Sequence, residues 1–248
     1  MRTSNPTLMS NAFSGFGLVS ESNTMTVRGT VNKTAILLLL VLLPAAWTWK
    51  MFFNANGGYS AVQTLMIVGL IGGLISSMVT IFKRNWAPIT APIYACMEGL
   101  FLGAISAMFE MSYPGIVLQA VSLSMGTLLV MLAVYQSGWI KVTDSFRLGV
   151  VAATGGIALV YFVAIILSFF GVNVPFINGS GLFSILFSVF VVGIAALNLV
   201  IDFDFIAQAS RGGVPKYMEW YGAFALMVTL IWLYIEILRL LSKLNERK

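Results

Sequence analysis

Glu98 lies in the middle of an apolar run, Ile93 to Phe109, and Asp202 and Asp204 lie near the end of another. In a helix that crosses a bilayer, a carboxylate at such depth costs about 2.5–3.5 kcal/mol even on insertion scales, so it faces a protein interior or a water-filled path. Glu219 opens the next apolar run, beyond a short glycine-containing break. Hard cations take oxygen ligands, and buried carboxylates also exchange protons. Glu98, Asp202, Asp204 and Glu219 are therefore candidates for an ion pathway and for pH sensing, with Asp202 and Asp204 as tentative ligands of Ca2+. Each also has a plainer structural reading. Glu98 would be a neutral acid joining two helices, and Asp202 an acid hydrogen-bonded to a neighbouring helix. Asp204 would be a helix-end carboxylate paired with Arg211.

The elements that must position these groups are helices, and helical spacing sorts the groups by face. Thr90, Tyr94 and Glu98 form one stripe, with Gly99, Gly103 and Ser106 beside it as a small-residue stripe suited to close helix contact. Asn198 and Asp202 share a face; Asp204, Gln208 and Arg211 share another. Residues two apart on a helix point about 200° away from each other, so Asp202 and Asp204 cannot both face one pore unless the helix unwinds. Thr229, Trp232, Glu236 and Arg239 share a face of the last run, where Glu236 and Arg239 have the spacing of a local ion pair. Gly72-Gly73 and Gly155-Gly156 are expected to mark close helix approach.

Composition fixes the class. Of 248 residues, 59% are hydrophobic and 9% charged, against about 25% charged in soluble domains. Mean hydropathy is +0.93. The apolar runs are continuous and about 20 residues long, the length a helix needs to cross the hydrocarbon core. The fold class is all-α, a polytopic membrane protein with spans near 34–53, 60–82, 87–109, 114–135, 148–170, 181–207 and 217–241. Residues 1–30 read as a mobile polar tail and 31–248 as the seven-helix domain. Basic residues favour the tail and the 2–3, 4–5 and 6–7 connections: Arg2, Arg28 and Lys33, Lys83 and Arg84, Lys141 and Arg147, Arg211 and Lys216, against Lys50 in the first connection on the opposite side and none in the next two. The N-terminus and even connections are therefore expected in the cytoplasm. Arg239, Lys243, Arg247 and Lys248 go against that pattern if the seventh segment spans, and a re-entrant last segment is the alternative.

Several short motifs then fall into place. Phe203-Asp204, a polar turn and a last helix ending in Ile237-Leu238-Arg239-Leu240-Leu241 look like the C-terminal half of the Bax inhibitor family. Met97-Glu98-Gly99-Leu100-Phe101-Leu102-Gly103 resembles its third-helix pattern. The resemblance covers roughly residues 30–245. It implies a bacterial-type member in the inner (plasma) membrane, a seven-helix fold with the last helix central, and a pH-sensitive Ca2+ leak governed by two Asp residues. By position Asp204 matches the first of that pair, with Asp202 as an alternate register. Counting back from Arg239 places Thr229, not Asp, at the second; Glu219, Asp202 and Glu236 do not occupy the matching position.

Two functions remain. One is a cation leak gated by buried carboxylates, in which Glu98, Asp202, Asp204 and Glu219 act with Tyr94, Asn198, Thr229, Glu236 and Arg239 as supporting polar groups. The other is a non-conducting regulator that binds another membrane protein, such as a quality-control protease. No enzyme and no cofactor is expected. The chain has no His, which removes the usual general base and the commonest metal ligand. Its single cysteine, Cys96, fits packing. The lipid bilayer is the expected surrounding, and the basic residues read as loop charges rather than as a nucleic-acid surface.

Overall fold

A computed structural model describes residues 23–54, 58–172 and 174–247. The expected tail over 1–22, the turn residues 55–57 and Lys248 lie outside the described residues. The helices are α1 (Val27–Asn54), α2 (Gly58–Phe82), α3 (Ala87–Ser112), α4 (Ile116–Gln136), α5 (Asp144–Phe169), α6 (Pro175–Asn178), α7 (Leu182–Arg211) and α8 (Met218–Glu246). All except the one-turn α6 are long and apolar enough to cross a membrane. The seventh span, α8, is one continuous helix, so no re-entrant break interrupts it.

Local chemistry sets the ends. Pro88 occupies the first turn of α3, where its missing N–H is not needed. The Thr143 side chain accepts from Phe146 N at 3.2 Å and caps α5. Gly115, with φ of 86°, turns the chain into α4. Thr26 Oγ1 accepts from Gly29 N at 2.9 Å, so α1 starts at Val27, earlier than the apolar run beginning at Thr34. Residues 23–30, read from the sequence as the end of a mobile tail, instead carry this cap and a short bridge. Thr24 pairs with Pro215, Met25 N donates to Val214 O at 2.8 Å, and Lys216 N donates to Asn23 O at 2.9 Å.

The chain divides into two compact units. Unit 1 holds Gly115–Asp204 and the chain from Val228 onward: α4, α5, α6, most of α7 and the second half of α8. Its core is Val150, Ile157, Val191, Ile194 and Ile201, with Phe146, Tyr161, Phe187 and Trp232 packed on it. Unit 2 holds the described part of Ala12–Pro114 together with Phe205–Met227. Within it α3 packs along both α1 and α2. A Cβ on Gly99 would strike Val41 O, one on Gly103 would lie 2.7 Å from Ala45 Cα, and one on Gly72 2.7 Å from Met97 Sδ. Gly155 and Gly156 differ: nothing lies within 4 Å of a Cβ built there, so this pair marks no close approach. Of the seven long helices α8 is the most buried, with 61% of its most apolar stretch inside the protein against 11% for α5.

Candidate functional site

In unit 1 the acids of α7 and α8 meet partners on α4, α5 and each other. Asp202 is 1% exposed, and Thr229 Oγ1 donates to its Oδ2 at 2.6 Å. Asp204, two residues on, points elsewhere. It forms an ion pair with Arg147 of α5 and accepts from the Tyr135 hydroxyl of α4 at 3.4 Å. Arg147 is itself buried. Asn198 donates to Thr154 Oγ1 of α5 and to Ile194 O, both at 2.9 Å. Glu236 accepts from Tyr161 OH at 2.9 Å and from Arg239 Nη1 at 3.2 Å, while the Arg239 guanidinium lies 4.9 Å from the centre of the Tyr161 ring.

In unit 2 the acids are Glu98 and Glu219. Glu98 is partly buried on α3, hydrogen-bonded to Tyr94 one turn earlier. Its Oε1 is seated against α2, 2.9 Å from where a Cβ on Gly73 would stand. Tyr94 is buried and meets Phe224 edge-on, with ring centres 4.9 Å apart. Thr90, at the start of the stripe, bonds Thr80 of α2 at 2.7 Å. Glu219 is fully buried. It accepts from Thr26 N at 3.0 Å and Thr26 Oγ1 at 2.9 Å, is ion-paired with Lys33, and has Lys216 Nζ at 3.9 Å. Its carboxylate fills the space a side chain on Gly29 would take.

The sequence reading is corrected in two places. Asp202 and Asp204 do not form a joint cation site: α7 runs through them unbroken, and one carboxylate engages α8 while the other engages α5. The partner of Asp204 is Arg147 rather than Arg211. Within unit 2, Glu219 takes its partners from α1 and the turn before α8. Among the described residues, no group of three or more Asp, Glu or Cys side chains is arranged to hold a metal ion. The Glu236–Arg239 pair has the local geometry its spacing predicts. Arg147, Lys33, Tyr135 and Tyr161 are the partners the sequence did not disclose; the two cations were legible only as topology charges.

Seven long apolar helices carrying buried, hydrogen-bonded acids make this an all-helical integral membrane protein. A family model described as Bax inhibitor 1 like matches residues 5–246, nearly the whole chain, and the chain belongs to that family. No curated protein and no solved structure matches it.

Proposed function

We propose that this protein is a pH-sensitive cation leak, with Ca2+ as the ion its oxygen-only acids suit, and that unit 1 holds its control point. The observation that carries this reading is the placement of two aspartates on opposite faces of α7: the buried Asp202, hydrogen-bonded to Thr229, and the partly buried Asp204, ion-paired with Arg147. A buried ion pair holds only while both members are charged. Protonation of Asp204 removes the counter-charge of Arg147 and frees α5 and α7 to shift. Between Asp202 and the N-terminal end of α7 lie Val191 and Ile194 of the packed apolar core, which an ion path along this helix would have to part. Glu98, hydrogen-bonded to Tyr94 on α3, is a second acid at mid-helix, in unit 2. On the charge pattern of the connections, the N-terminus lies in the cytoplasm of a bacterial inner membrane.

The test is Ca2+ flux into liposomes at two pH values. Flux is expected to rise as pH falls, and to lose that dependence in an Asp202→Asn/Asp204→Asn variant. Equal flux at every pH in wild type and variant overturns the reading.

A second reading has its own support. Asp204, Glu219 and Glu236 each carry a cationic partner, which suits a non-conducting scaffold whose acids are structural. That protein would bind another membrane protein. A stoichiometric partner recovered in mild detergent, together with flux no greater than that of empty liposomes, would establish it.

A further inference from the structure

We propose that the end of unit 2 carrying the α2–α3 connection is a docking surface for the headgroups of anionic phospholipids. Four stretches of chain far apart in sequence meet there. Ser210 Oγ, at the end of α7, donates to Met25 O at 3.3 Å, and Lys216 N, before α8, donates to Asn23 O at 2.9 Å. Lys33 of α1 is ion-paired with Glu219 of α8, and its ammonium lies 5.6 Å from the centre of a Trp220 ring. The Arg84 guanidinium, in the single turn between α2 and α3, lies 5.8 Å from the centre of the Tyr221 ring. These contacts gather six cations at one end of the unit: Arg28, Lys33, Lys83, Arg84, Arg211 and Lys216.

Among the described residues of unit 2, one acid stands at that end, and it is committed internally. Glu219 is fully buried, bonded by Thr26 and Lys33, with Lys216 Nζ at 3.9 Å. The positive excess therefore stays on the surface, where Arg28, Lys83, Arg211 and Lys216 are exposed. The opposite end of unit 2 has one exposed cation, Lys50, and one acid, Glu110, so the excess belongs to one end alone. Apolar rings flank the exposed charge: Phe82 is 78% exposed and Trp86 55%. Tryptophan in particular settles at the margin of the hydrocarbon, which sets the neighbouring Lys83 ammonium at the level of the lipid phosphates. Basic side chains so placed attract anionic lipid. An acidic peptide is the poorer occupant, since it matches the charges but leaves Phe82 and Trp86 uncovered. The charge rule for topology acts on a chain while it inserts. A docking surface acts on the folded protein, reversibly and subject to screening by salt. It stands whether or not the protein conducts.

The experiment titrates the full-length protein, in a mild uncharged detergent, with dioleoylphosphatidylglycerol or dioleoylphosphatidylcholine and counts bound lipid by native mass spectrometry. Wild type is compared with Arg28→Gln/Lys83→Gln/Arg211→Gln and, at the opposite end, with Lys50→Gln. All four side chains are exposed and lie outside the ion pairs of the protein. Wild type is expected to bind the anionic lipid about a hundredfold or more tightly than the zwitterionic one, and the triple variant to lose about fivefold for each charge removed. High ammonium acetate should shrink the difference, and Lys50→Gln should keep it. Should the triple variant not elute as a monodisperse protein, Lys83→Gln alone is read the same way, with a loss of about fivefold. Equal binding of the two lipids, a triple variant that keeps the preference, or an equal loss in Lys50→Gln overturns the assignment. Displacement of the lipid by inorganic phosphate at equal concentration also overturns it, making the ligand a free anion. A polyglutamate peptide bound more tightly than the lipid does so too, making the partner an acidic protein. No flux is read in this assay, so its failure leaves the leak reading where it was.

Discussion

Asp202 and Asp204 differ in what replaces water around them. Thr229 gives Asp202 one short hydrogen bond, whereas Arg147 gives Asp204 a counter-charge. Removing one member of a buried pair leaves the other charge uncompensated, so Asp204→Asn is expected to destabilise the protein by about 3 kcal/mol. The double change Arg147→Met/Asp204→Leu should recover most of that loss. Thermal unfolding in detergent measures both, and a double variant as unstable as the single one would show that the pair is not the cause. Thr229→Val keeps the shape but takes the donor from Asp202, an expected loss of about 1–3 kcal/mol, read in the same assay. The separation of the two aspartates was legible beforehand, because residues two apart diverge on any helix. Their partners were not. Arg147 stands 57 positions from Asp204 in the chain, and its place in sequence is equally that of an ordinary basic residue at a loop edge. Only the rotation of α5 about its axis decides between the two, and apolar runs this uniform carry little information on rotation.

At the scale of elements, the seven spans follow from run length and hydropathy, and the structure has helices at all seven positions. Their ends were less readable. α1 begins at Val27 because Thr26 caps it, and a capping threonine in a Ser/Asn/Thr-rich stretch looks like any other. Glycines divide in the same way. Gly103→Ala would drive a methyl to within 2.7 Å of the Ala45 backbone; overpacking of this kind costs about 1–3 kcal/mol. Gly155→Ala meets nothing and removes a flexible residue from a helix, so it is expected to be neutral or to stabilise by about 0.5–1 kcal/mol. Melting temperatures of the two variants, measured side by side, check the contrast. Two glycine-containing stretches that both read as close helix contacts thus have opposite roles, because one faces a neighbouring helix and the other faces open space.

For the molecule as a whole, the segment that opens α1 is fastened to the segment that opens α8. Residues 23–25 bridge to 214–216, and the buried Glu219 joins Thr26 to Lys33. Neither end announces this in sequence: Lys33 reads as a topology charge and Glu219 as the acidic first turn of a helix. Glu219→Gln retains the shape but loses the ionic contact, and should open the 212–216 connection to proteases. Limited proteolysis at fixed enzyme ratio tests it, with unchanged cleavage counting against the fastening. An ion pair between residues 186 positions apart in the chain also bears on its manufacture. As the ribosome releases this chain, α1 enters the bilayer with the ammonium of Lys33 lacking its acid, and stays so until almost 190 further residues have followed. α1, made before the other described helices, is therefore among the last to gain its contacts, and a product halted before position 219 would lack the acid that Lys33 pairs with.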